Sequence, residues 1–176
     1  MEIQASRLRA RIGPAGEPVL LADQDRGRWD QLLIRRGLAE LDRAQEVGGA
    51  LGPYAIQAAI AACHARAQTY GETDWERIAA LYDALAQLAP SPVVELNRGV
   101  AYTMAFGPRA GLEIVDRLTS EPSMQGYHLL PTVRGDLLEK LGHFGEARVE
   151  FERAASMTQN ARERTLLLQR AAKCVG

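Results

Sequence analysis

Three times in this chain a proline stands directly behind a turn or capping residue and directly ahead of apolar residues at helical spacing: Gly52-Pro53, Ser91-Pro92 and Gly107-Pro108. Proline has no N–H and a fixed φ, so it suits the first turn of a helix and disrupts its interior. Each dipeptide therefore ends one element and starts the next. The runs between them carry Ile56, Ile60, Cys63 and Ala67, then Trp75, Ile78, Tyr82, Leu85 and Ala89, then Val93, Leu96, Val100 and Met104, then Leu112, Val115 and Leu118. Spacings of three and four place each set on one helix face, and no stretch alternates with the period of two that a strand needs. The chain is expected to be all-α.

Further helices are expected from about Arg28 to Gly48-Gly49, with Leu33, Gly37, Leu41 and Ala44 on one face, from Tyr127 to Leu141, from Glu146 to Met157, and from Asn160 to Ala172. Thr73-Asp74-Trp75-Glu76 reads as a capping box with Thr73 as N-cap, and Asn160 with Glu163 three residues on reads as another. That makes about eight helices, mostly paired. The segment Ile12-Gly13-Pro14-Ala15-Gly16-Glu17-Pro18 carries turn formers and little period, so residues 1–27 are expected to be an irregular arm, and residues 28–176 the helical domain. Residues 1 to about 11 look like the tail of a helix that starts further upstream.

Composition narrows the function. The chain has 176 residues, 47% of them hydrophobic and 24% charged, as in an ordinary globular domain. With 21 basic and 22 acidic side chains it lacks the positive excess of a stand-alone nucleic-acid binder. Cys63 and Cys174 have no C-x-x-C spacing, and His64, His128 and His143 have no second ligand at i+3 or i+4, so neither a disulfide framework nor a metal site is expected. No signal segment or long apolar run is present, which points to the cytoplasm. No nucleophilic triad, phosphate loop or paired-carboxylate motif stands out, so neither an enzyme nor a cofactor is expected.

The helix pairs repeat. Gly135, Gly142, Phe144, Ala147, Phe151 and Ala154 have the spacing of a tetratricopeptide unit, and Gly99, Ala101, Tyr102, Gly111 and Val115 take the same roles one unit earlier. Gly99 and Gly135 are 36 residues apart, against the usual ~34 of that repeat. The expected fold is a tetratricopeptide-like helical-hairpin solenoid closed by the last helix, since such units cannot bury their apolar faces alone.

Four strings carry a more specific likeness. They are the run from Leu20 through Asp23-Gln24-Asp25-Arg26-Gly27-Arg28-Trp29 to Asp30, the run from Gly52-Pro53-Tyr54 to Ala62, Ser91-Pro92-Val93-Val94-Glu95-Leu96-Asn97-Arg98, and Gly126-Tyr127-His128-Leu129-Leu130-Pro131. In this order they resemble the C-terminal extension of one group of extracytoplasmic-function (ECF) RNA polymerase sigma factors. The resemblance implies a regulatory, protein-interaction domain that modulates transcription initiation through contact with sigma regions 2 and 4 or core polymerase. Promoter DNA would be reached only through N-terminal regions absent from this sequence, which suggests a fragment or a shortened product. A free-standing adaptor that grips a peptide in a concave groove is the alternative.

The residues nominated for protein contact are Asp23, Gln24, Asp25, Arg26, Arg28, Asn97, Arg98, Tyr127, His128 and Arg134. For the cluster from Asp23 to Trp29 two accounts compete: a docking surface, or acids capping a helix whose first core anchor is Trp29. Asn97 stands where carboxylate-clamp repeats use asparagine, but Leu129 and Val133 stand where such a clamp needs basic residues, so Asn97 is expected to bond backbone and Arg98 to pair with a nearby acid. His128, beside Tyr127, either lines the groove or is satisfied at a helix start. Cys63 is expected to be a small core residue.

Overall fold

The computed structural model describes residues 2–13, 19, 21–46 and 52–174, and every regular element among them is helical. The predicted end of the first long helix at Gly48-Gly49 and most of the turn-rich segment 12–18 lie outside the described residues. The chain divides into two compact units, Met1–Leu88 and Ala89–Gly176.

The first unit contains α1 (Glu2–Ala5), α2 (Gln31–Glu46), α3 (Pro53–Arg66) and α4 (Trp75–Leu88), with 3-10 turns at Leu8–Ala10, Leu21–Asp23 and Arg26–Arg28. Part of the expected arm packs into this unit: Ile3, Ser6 and Ala10 are buried, as is Trp29 just beyond it. The helix expected from Arg28 starts later, because Asp30 is its cap and accepts from the amides of Leu32 and Leu33 at 3.0 and 3.1 Å. Its inward face is led by Ile34 and Leu41, with Gly37 placed so that a Cβ would stand 3.2 Å from the Ile3 amide nitrogen. The expectation for α3 also changes. It is buried on nearly every side from Ala59 to His64, since α1, α2 and α4 all pack on it. A one-faced period misses a helix whose small alanines admit neighbours all round.

The second unit contains α5 (Pro92–Phe106), α6 (Pro108–Arg117), α7 (Leu129–Lys140), α8 (Phe144–Met157) and α9 (Ala161–Lys173). Ser91 caps α5 as expected, its hydroxyl accepting from the Val94 amide at 3.2 Å. Gly107 alone joins α5 to α6, at φ +94°, a conformation that L side chains rarely adopt. Asn160 caps α9 through the amides of Arg162 and Glu163. Glu163 does not reach back to the cap residue, because its carboxylate accepts from the Thr158 hydroxyl at 2.6 Å.

The expected repeat is present as geometry. A Cβ on Gly99 would meet Val115 Cγ2 at 2.7 Å, and one on Gly135 would meet Phe151 Cε1 at the same 2.7 Å. Both pairs shift by 36 residues, and Val115 and Phe151 are wholly buried. Counting back 36 more reaches Ala79 on α4, which is 1% exposed. The chain is therefore an all-α set of helical hairpins, and the α5–α6 and α7–α8 hairpins close where a glycine lets a core side chain approach backbone. Among the described residues no helix is long and apolar enough to cross a membrane.

This geometry gives a matched pair of substitutions. Gly135→Ala drives a methyl into the Phe151 ring and is expected to cost about 1–3 kcal/mol. Gly145→Ala meets nothing within 4 Å and is expected to be neutral or to stabilise α8 by up to ~1 kcal/mol. Urea unfolding of both variants measures the difference.

Candidate functional site

The densest polar cluster, Asp23 to Asp30, folds as two 3-10 turns, and Arg26 is its centre. The Arg26 side chain crosses to the end of α3, where Nη1 donates to the carbonyls of His64 and Ala67 at 2.6 and 2.8 Å. Nη2 donates to the Thr73 hydroxyl at 2.9 Å. The last carbonyls of a helix have no partner within it, and a guanidinium satisfies two of them while answering the negative end of the helix dipole. This contact also explains why α4 is capped one residue later than expected. Thr73 is occupied by Arg26, and Asp74 Oδ1 takes the Arg77 amide at 3.0 Å instead.

Aromatic rings surround the clamp. Trp29 is 3% exposed, and the guanidinium carbons of Arg26 and Arg7 lie 5.2 and 5.6 Å from its ring centre. His64 meets Trp75 edge-on at 5.2 Å, and Tyr70 meets the same ring at 5.3 Å. Trp29 Nε1, His64 Nδ1 and Arg7 Nε are buried and have no hydrogen-bond partner among the described residues. Burial, with Arg7 and Arg26 nearby, pushes the His64 pKa down from 6.5 to about 4, so His64 is neutral at pH 7. Burial likewise pushes the Cys63 thiol up, as suits a core cysteine.

The other nominated residues of this cluster are more peripheral. Asp25 caps its own turn by accepting from the Gly27 amide at 2.9 Å, and Gln24 Nε2 donates to the Val19 carbonyl at 3.1 Å. Arg28 holds the first 3-10 turn through the Arg9 carbonyl at 3.0 Å. Asp23 is exposed. The acids thus cap a short turn or face water, and the residue that ties the segment to the core is the arginine between them.

In the second unit most of the nominated side chains are held by neighbours. Arg98 pairs with Glu95 at 3.0 Å, as expected, and lies 5.1 Å from the Tyr102 ring centre. Asn97 is exposed on α5. Tyr127 packs on the core cluster of Leu96, Val115 and Leu137. His128 Nε2 lies 3.2 Å from Glu163 Oε1, linking the start of α7 to the first turn of α9. Arg134 bridges α6 and α8 through Asp116 at 2.8 Å and Glu150 at 2.7 Å.

Sequence reasoning passed over two features. Arg170 pairs with Asp136 and Glu139 and covers the Phe151 ring at 4.3 Å. In the first unit a cleft of about 640 Å³ opens between α1, α2 and α3, walled by Ile3, Gly37, Leu41 and Ala58 and bordered by Tyr54. Tyr54 is 83% exposed, far more than the other large apolar or aromatic side chains. An aromatic residue at the second position of a helix that carries the motif Gly-Pro-Tyr is the signal that could have found it.

Two measurements test the clamp. Arg26→Ala leaves two helix-end carbonyls and a buried threonine without a partner and is expected to cost about 2–4 kcal/mol, whereas Asp25→Ala, at an exposed cap, costs about 1 kcal/mol or less. Equal losses in denaturant titration would remove Arg26 from its central role. His64 binds a proton less readily folded than unfolded, so its contribution is complete above pH 6.5 and is lost as pH falls through about 4. Stability should drop by roughly 3 kcal/mol across that window, and His64→Phe should flatten the profile.

The sequence resembles known proteins over two spans. The model of a family described as "Family of unknown function (DUF6596)" matches residues 1–45, the stretch that holds α1, the Arg26 clamp and nearly all of α2. An uncharacterized protein of Rhizobium meliloti (strain 1021) is 48% identical over 161 residues, or 92% of this chain. The chain spans 37% of the length of that relative.

Proposed function

We propose that this chain is the C-terminal regulatory region of an ECF-type RNA polymerase sigma factor. It acts through protein contact and does no chemistry of its own. The observation that carries the reading is the ordered set of four strings, each of which has a separate job in the fold. The first contains the Arg26 clamp, the second opens α3 and borders the cleft, the third caps α5 with Ser91, and the fourth starts α7 with Tyr127 in the core. Four strings in one order, each including residues that build the fold, are hard to obtain from a generic helical repeat.

Three further features support it. A relative in which the similar stretch is only 37% of the whole has room for regions that bind polymerase and DNA. The near-balance of 21 basic and 22 acidic residues suits a domain that touches protein surfaces and leaves promoter DNA to other regions. Paired helices present broad side-chain surfaces, the usual basis of recognition by helical repeats.

The test is titration calorimetry of the full chain against separately expressed sigma regions 2 and 4 from the same source, and against core polymerase. Binding to at least one of them in the micromolar range or tighter is expected, as for a contact of ordinary interface size. No binding to any of the three would sink the reading and leave the peptide adaptor in its place.

A further inference from the structure

We infer that the cleft between α1, α2 and α3 is a docking groove for an amphipathic helix whose apolar ridge is bordered by lysine or arginine. This goes beyond the regulatory reading and does not depend on it. The floor is apolar and low: Ile3 and Leu41 are buried, Gly37 lets Ile3 pack close on α2, and Ala58 and Ala61 keep the α3 wall short. Small residues at such a floor let a helix approach closely, as Gly99 and Gly135 do within the hairpins. A space of about 640 Å³ accepts several large apolar side chains from one face of a helix.

The border decides the charge of the occupant. Among the described residues, the charged ones that line the cleft are Glu2 and Glu40, and no lysine or arginine lines it. Their partners, Arg36 and Arg43, stand outside at 3.2 Å and are themselves mostly exposed. Exposed pairs of this kind hold weakly and exchange readily. The start of α3 offers little to an acid, because the amides of Ala55 and Ile56 already donate to the Gly52 carbonyl at 2.9 and 3.1 Å. An acidic helix would meet two carboxylates and few donors, whereas a basic border meets both carboxylates directly. Tyr54, 83% exposed beside this apolar floor, supplies the large amphipathic contact that binding hot spots favour.

The experiment uses two synthetic peptides of ~18 residues with leucines at helical spacing, identical except that one carries lysines beside the ridge and the other glutamates. Fluorescence anisotropy with the full chain is expected to show the lysine peptide bound at least about tenfold more tightly at low salt, with the preference shrinking as salt screens it. Tyr54→Ala should weaken that binding about tenfold, and Glu40→Lys should reverse the preference. Both positions are exposed, and circular dichroism checks that the variants stay folded. Equal affinity for the two peptides, tighter binding of the glutamate peptide, no binding of either, or binding that ignores both substitutions would each overturn the inference. So would an apolar dye that occupies the cleft and that neither peptide displaces. Sigma regions that bind wild type and variants alike, together with a peptide result that fails, would sink the groove and leave the regulatory reading standing. The opposite pattern would do the reverse.

Discussion

Short helices have many ends, and each end leaves up to four backbone groups without an internal partner. In this chain the long helices run from 10 to 16 residues, so a large share of the backbone lies within one turn of a terminus. The way these ends are satisfied governs where each helix can start and which neighbour it must meet. Ser91, Asn160, Asp30 and Asp74 answer the N-terminal amides with their own side chains. Arginines from other elements answer the carbonyls. Arg26 does so at the end of α3, and Arg164 does so at the end of α8 through Ala155 and Thr158. Because these arginines come from a different element, satisfying the helix end also joins two pieces of the unit.

The two kinds of cap differ in how they can be read. A cap supplied from within the same turn is local, and Ser91, Asn160 and Gly107 were all legible as residue types next to an apolar run. The hairpin closures were legible for a related reason: a glycine recurring after 36 residues opposite a bulky side chain is a periodic signal. Arg26 has no local signal. Its three acceptors lie 38, 41 and 47 residues away, and a charged residue that follows Asp23 and Asp25 looks like part of a solvated surface. The shift of the α4 cap from Thr73 to Asp74 follows from the same long-range contact, so both departures have one cause.

The candidate contact surface was less legible than the fold. Most of the charged residues nominated from sequence are held within their own unit: Arg98 by Glu95, His128 by Glu163, Arg134 by Asp116 and Glu150. Of these pairings only that of Arg98, within one turn of α5, was legible in the sequence, and a paired Arg134 is indistinguishable from a reaching one until α6, α7 and α8 are placed together. Tyr54 had the opposite fate. It lies within one of the four strings, yet its exposure beside an apolar cleft depends on how α1, α2 and α3 come together.

The pairing of charges constrains how such a domain can recognise anything. For a partner to use Arg134, it would have to displace carboxylates at 2.7 and 2.8 Å, one of them on the buried Glu150, and breaking one side of a buried pair leaves an uncompensated charge. Using Arg26 would release the end of α3 and with it the packing of the N-terminal segment. Neither cost arises at the cleft, where apolar floor and exposed ring already meet water and the border ion pairs are weakly held. Covering that cleft removes apolar surface from water and disturbs at most two exposed ion pairs. The same charges that make the units stable thus steer recognition away from themselves and toward the apolar surface that the helices leave uncovered.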